Sequence, residues 1–258
     1  MQTKRSRRSF LKYSTFAGMA TAVNINAVIK NEFAEEKKSL VFLFQGDSIT
    51  DGNRGRNNDP NHIMGHGYAF SVASRVGDDF ASSQHVFYNR GTSGNKISDL
   101  KNRWQEDTIE LKPDVLSVLA GINDAAEIIN KNLDEDTAID QFEKDYRDLL
   151  TQCRKSNPEI LFVICFPFVY LGTRTKDNLN KYNTVVTKLA IRIKKLSTEF
   201  NGVTVDFPAA IDRALKKAPL EYWIWDGVHP TVPAHEVLAR QWIKEVSGRL
   251  TFLRVYKY

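Results

Sequence analysis

From Ser39 onward, short runs of apolar residues alternate with longer segments in which apolar side chains return every three to four positions. That alternation predicts a parallel sheet whose strands are joined and covered by helices. Strands are expected at Leu40–Gln45, Val86–Asn89, Asp114–Ala120, Ile160–Phe166 and Val203–Asp206. The unbroken apolar character of Ile160–Phe166 fits a sheet buried on both faces. Helices are expected over Gly67–Phe80, from Ser98 to Leu111, and over Leu179–Phe200, Pro208–Lys217 and Pro233–Arg249. Thr137 and Asp140 suggest a capping box opening one more helix, with Ile139, Phe142, Tyr146, Leu149 and Cys153 on its inner face. The stretch Gly52–Gly67 is the most loop-like insertion, and no internal repeat or interdomain linker interrupts the pattern.

At 258 residues the chain suits one well-cored domain. Its formal net charge of +5 is concentrated at the start, where Lys4, Arg5, Arg7, Arg8, Lys12 and Lys30 face only Glu32 within residues 1–33. The remainder is neutral, which removes the electrostatic support for a nucleic-acid partner. The segment Ser6-Arg7-Arg8-Ser9-Phe10-Leu11-Lys12, followed by a mild apolar run to about Val28, resembles a bacterial twin-arginine export signal. Residues 1–33 are therefore expected to be an address for export to the periplasm or exterior, with 34–258 as the domain. No cysteine near the signal offers a lipid attachment point, and no later stretch approaches the ~20 apolar residues of a spanning helix. A stable membrane anchor is not expected. Cys153 and Cys165 are expected to be two buried thiols.

In open α/β sheets, ligands bind beyond the carboxyl ends of the strands, where strand order reverses. The polar residues at the first three strand exits are Gly46-Asp47-Ser48, Arg90-Gly91-Thr92-Ser93-Gly94-Asn95 and Gly121-Ile122-Asn123-Asp124. A serine hydroxyl needs a base within hydrogen-bond reach and a third group to orient that base. The late segment Asp226-Gly227-Val228-His229-Pro230 contains both residue types in one tight turn. Donors for an oxyanion are available from Ser48 N–H, from the Asn123 amide and from Gly91 N–H, with Gly94 in the same loop.

The blocks Gly46-Asp47-Ser48, Gly91, Gly121-Ile122-Asn123-Asp124 and Asp226-Gly227-Val228-His229 resemble, in order, the signature blocks of the SGNH hydrolases, the GDSL esterases and lipases. The resemblance spans residues 40–245. It implies a flavodoxin-like three-layer α/β/α sandwich, a single domain on a five-stranded parallel sheet of order 2-1-3-4-5. It also implies a serine-dependent carboxylic ester hydrolase without metal or cofactor. In that reading Ser48 is the nucleophile, His229 the acid and base, Asp226 its orienting group, and Ser48, Gly91 and Asn123 the oxyanion donors. An exported domain of this kind resembles bacterial esterases that deacetylate polysaccharides, so an acetylated sugar is the first expectation, with lipid esters and thioesters as the alternative.

Asp47, Asp124, His66 and Trp225 are weaker candidates for substrate contact, and for Asp47 an Asx-type turn is the stronger expectation. A structural role for Asp226, with a backbone carbonyl orienting the imidazole, stays open. Trp225 closes the aromatic run Tyr222-Trp223-Ile224-Trp225, which suits either a sugar-stacking wall or core packing. His235 is expected to cap or pack. Two other function classes compete. Gly46-Asp47-Ser48-Ile49-Thr50-Asp51 faintly resembles the Gly-Asp-x-x-Asp motif of two-metal phosphoesterases, but the further Asp and His ligands of such sites are missing. A non-catalytic exported carbohydrate-binding protein is the other, although every catalytic position is filled by the required residue type. The Gly-x-Ser-x-Gly elbow of the α/β-hydrolases is absent around Ser48.

Overall fold

Five parallel strands, β1 (Val41–Gly46), β2 (Val86–Asn89), β3 (Val115–Leu119), β4 (Leu161–Cys165) and β5 (Val203–Val205), pair in the order β2-β1-β3-β4-β5. They belong to a computed structural model that describes residues 39–57 and 59–258; the basic segment read as an export address lies outside these residues. β1 and β3, the two strands that flank the reversal of order, run side by side with Gly46 opposite Leu119, so their exits open at the same level.

The connections are helices: one-turn α1 (Ser48–Asp51), α2 (Tyr68–Asp79), α3 (Ile97–Asn102), α4 (Ile122–Asn130), α5 (Glu135–Ser156), α6 (Leu179–Glu199), α7 (Phe207–Ala214), one-turn α8 (Leu220–Trp223) and α9 (Val232–Val246). α2, α7 and α9 pack together on one face of the sheet, and α3 to α6 on the other. The middle strands β3 and β4 are buried at every position, as the apolar runs require. The polar exception within β3 is Ser117, whose Oγ accepts the Trp242 indole N–H at 2.9 Å, so its burial leaves no unmet hydrogen bond. Cys153 and Cys165 are free and buried, and burial pushes both thiols up to about 12.

Two expected elements differ from the pattern. The residue capping α5 is Asp134, whose carboxylate accepts Thr137 N–H at 2.9 Å. Thr137 thus lies inside the helix, and Asp140 pairs with Arg192 instead of closing a capping box. The acids Glu135 and Asp136 already fill the first turn, where the helix dipole favours them. The helix expected from Ser98 to Leu111 is broken into α3 and a π-helical turn, Gln105–Ile109. Gln45, at the end of β1, donates to the Asp107 carbonyl at 3.0 Å and to Thr108 Oγ1 at 2.8 Å. A side chain inserted into the backbone ladder in this way accounts for the break. α4 was not foreseen, because its start lies within the polar strand exit.

Candidate active site

The chain leaves β1 at Gly46 and turns at once into α1, with Asp47 as its cap: Asp47 Oδ1 accepts Ile49 N–H at 3.0 Å. Ser48 is the first residue of that turn and stands half-buried at the sheet edge. Its Oγ lies 2.8 Å from His229 Nε2, and His229 Nδ1 lies 2.7 Å from Asp226 Oδ2. With Nδ1 donating to a carboxylate, Nε2 is left to accept the serine proton.

His229 is returned to the first strand from beyond β5 by α7, α8 and a closed turn. Ile224 and Pro230 form an antiparallel bridge, and Trp225 N–H donates to His229 O at 3.2 Å. A neighbouring loop grips the turn from outside, through Tyr170 N–H to Gly227 O at 2.8 Å and Arg174 N–H to Asp226 O at 3.0 Å. Inside it, Asp226 Oδ1 accepts Val228 N–H at 2.9 Å and His229 N–H at 2.8 Å. Asp226 is 1% exposed, and burial by itself drives its carboxyl upward. Hydrogen bonds from the His229 backbone and ring and from Val228 outweigh burial and hold it below the usual carboxylate range.

The oxyanion donors need one correction. Gly91 is buried and its N–H donates to Asn89 Oδ1 at 2.9 Å, so it has no donor to offer a substrate. Glycine is needed at 91 for close packing, because a Cβ there would stand 2.4 Å from Asp51 N. Gly94 reaches the cleft instead, with a positive φ of 84° and open space beside it. Among the described residues, neither Gly94 N–H nor Ser48 N–H has a protein partner. Asn123, on the first turn of α4, lines the same cleft; its Nδ2 donates to Asn95 O at 3.2 Å, which orients the amide and leaves a second N–H.

The cleft encloses about 680 Å³ and includes Ser48, Gly94, Asn123, Asn130, Arg174 and Tyr182. Trp225 stands beside it, 63% exposed, its indole stacked on the His229 ring at 6.3 Å. Trp223, by contrast, is buried. Three of the weaker candidates do not line the cleft. Asp47 and Asp124 are buried, Asp124 accepting Ile97 N–H at 3.1 Å, and the Oδ2 of each has no partner among the described residues. Desolvation pushes both up to about 7. His66 is exposed but lies outside the cleft, edge-on to the ring of His235 at 6.5 Å. His235 packs, accepting Tyr68 N–H at 3.1 Å through Nδ1. Among the described residues no three His, Cys, Asp or Glu side chains gather as a metal-ligand set.

Sequence reasoning passed over Asp51, Ser93 and Arg174. Asp51 stands in the stretch Gly46-Asp47-Ser48-Ile49-Thr50-Asp51 and Ser93 at the second strand exit, but the contacts between Ser93 and Asp51 and between Arg174 and Asp226 span about forty to fifty residues and leave no local signal. Gly94 was visible only as a second glycine in the loop.

The family model for GDSL-like lipases and acylhydrolases matches residues 44–237. An acetylxylan esterase of Geobacillus stearothermophilus is 31% identical over 213 residues, covering 80% of this chain and 93% of that protein. The solved structure of an acetylxylan esterase from the same organism, 30% identical, aligns at a TM-score of 0.69 over 81% of this chain and 94% of the other. A structure assigned as a GDSL-like lipase, from Parabacteroides merdae, aligns at a TM-score of 0.75 with 36% identity, over 81% and 96% of the two chains. With the fold, the match across most of the domain and the likeness to a characterised esterase in agreement, the chain belongs to the GDSL-like lipase/acylhydrolase family, on the SGNH hydrolase fold, and is an ester hydrolase.

Proposed function

We propose that this protein is an exported carbohydrate O-acetylesterase that removes acetyl groups from a polysaccharide or oligosaccharide by a serine mechanism. The observation that carries the reading is the continuous hydrogen-bonded series Ser48, His229, Asp226 at the wall of a polar cleft. Ser48 Oγ attacks the acetyl carbonyl while His229 Nε2 takes its proton. The tetrahedral oxyanion is held by the N–H groups of Ser48 and Gly94 and by the Asn123 amide. Collapse expels the sugar hydroxyl, which receives the proton from His229; a water molecule then repeats the sequence on the acyl-enzyme and releases acetate. Asp226 keeps the imidazole in the required tautomer and stabilises the imidazolium.

Support for the carbohydrate comes from the relatives and from the cleft. The Geobacillus relative is an acetylxylan esterase, and its variants with a serine or an aspartate replaced by alanine are catalytic mutants. Trp225, exposed and inclined by 30° to the His229 ring, offers a flat apolar face of the kind on which a sugar ring packs. Export rests on the Arg7-Arg8 segment.

Acetate release from acetylated xylan, set against hydrolysis of nitrophenyl esters of increasing acyl length, tests the substrate. Acetyl preference with turnover on the polysaccharide is expected; preference for long acyl chains points to a lipase and overturns it. Ser48→Ala must abolish the release. Fractionation of expressing cells, with and without Arg7→Lys and Arg8→Lys, tests export.

A further inference from the structure

We infer that Asp51 is a positioning residue that clamps the Ser93–Gly94 peptide in the orientation needed to bind the oxyanion; this rests on the acyl-transfer reading above. Asp51 is the last residue of α1, three positions after Ser48, and is 2% exposed. Its carboxylate accepts five hydrogen bonds. Oδ1 takes Arg54 N–H and Arg56 Nη1, each at 3.1 Å. Oδ2 takes Arg56 Nη2 at 2.7 Å, Ser93 N–H at 2.9 Å and Ser93 Oγ–H at 3.0 Å.

Ser93 gives both of its donors to one buried oxygen, which fixes its backbone and side chain together. The residue that follows it is Gly94, which lines the cleft and whose N–H has no protein partner among the described residues. On the far side, Asn95 N–H bonds to Thr92 O at 3.1 Å, so the Ser93–Gly94 peptide is held from both ends. The loop is tied down behind by Thr92 N–H to Gly46 O at 3.0 Å and by Arg54 Nε to Gly91 O at 2.9 Å. Neither glycine of this loop has a side chain to fix its backbone, so these hydrogen bonds set the geometry.

The acceptor must be a carboxylate. Every group that faces Asp51 is a donor, and an asparagine would turn an NH₂ toward either Ser93 or the guanidinium. The charge is tolerated under the surface because the Arg56 fork is bidentate. One carboxylate thus joins the turn that carries the nucleophile to the loop that carries an oxyanion donor, and the two move as one body.

The experiment uses the full chain and p-nitrophenyl acetate, with active sites counted by organophosphonate titration and folding followed by circular dichroism. In Asp51→Asn, kcat per titrated site is expected to fall about 100-fold with KM changed less than about threefold, the loss expected for a misplaced donor. Phenylboronate, whose tetrahedral serine adduct needs the same donors, should lose affinity in parallel. Ser93→Ala, which keeps the N–H, should lose about tenfold in kcat, and Ser93→Thr should restore it. A folded Asp51→Asn with unchanged kcat per site and unchanged boronate affinity overturns the clamp. If Asp51→Asn does not fold, Ser93→Ala decides alone, and wild-type kcat in that variant overturns it. Wild-type protein that hydrolyses no ester and takes up no organophosphonate defeats the acyl-transfer reading and the clamp with it; an active wild type matched by equally active variants defeats the clamp only.

Discussion

Four aspartates lie buried around Ser48, and they fall into two regions of opposite chemistry. Asp51 and Asp226 stand at the outer side of the site, where a guanidinium, ring and backbone N–H groups and a hydroxyl all point at them. Burial pushes both carboxyls up, yet hydrogen bonding and charge win, and both stay below the usual carboxylate range. Asp47 and Asp124 lie beneath the site at the strand exits, each with a backbone hydrogen bond to one oxygen and no partner for the other among the described residues. There burial wins and both rise to about 7. The two signature aspartates nearest in sequence to Ser48 and Asn123 each gather a single backbone donor, while Asp51 and Asp226 each gather several. Depth of burial and the number of converging donors together decide on which side of the usual range each acid falls.

The contrast is broken most severely at Asp226. Asp226→Asn leaves the shape intact but removes the charge that selects the histidine tautomer, and kcat is expected to fall on the order of 10⁴-fold, read by steady-state kinetics on a soluble acetate ester. Retention of more than a tenth of the wild-type rate would mean that another group orients His229.

At Asp124 the expectation reverses. Because its folded pKa of about 7 lies above the unfolded value, the wild-type contribution to stability is complete below pH 4 and is lost as pH rises through 7. Asp124→Asn has no such loss, so it should gain on the wild type by about 1–4 kcal/mol between pH 4 and pH 8 in urea titrations, with kcat changed only a few-fold. A constant difference across that range would show that the carboxyl is charged after all.

The smallest effect sharpens the comparison with a base in place of an acid. Burial, with lesser contributions from His66 and His229, pushes His235 down to about 4, so the stability of its neutral form is present above about pH 6.5 and is lost as pH falls toward 4. His235→Gln, which can still accept from Tyr68 N–H, should show a flatter urea midpoint between pH 7 and 5 than the wild type. Parallel profiles would place the proton elsewhere.

Much of this molecule is legible along the chain. The apolar runs mark all five strands, and most firmly β3 and β4, because strands buried on both faces must be apolar throughout, while the edge strands β2 and β5 are only partly buried. The strand exits then contain Ser48 and Asn123, since parallel strands all deliver their carboxyl ends to one edge. Elements set by contacts remote in sequence were not legible. The break after α3 comes from Gln45, about sixty residues upstream. The Gly91 N–H, expected to face an oxyanion, is claimed by the Asn89 side chain, and the glycine that lines the cleft is Gly94.

The sheet, its flanking helices, the serine and the late Asp226–His229 turn are written along the chain, because periodicity and short motifs are local properties. Folding in three dimensions sets which glycine lines the cleft, which aspartates are pushed up or down, and that Asp51 bonds to Ser93 across the site. Those outcomes depend on how many donors and how much water reach each group, and that is set by residues brought together across the fold.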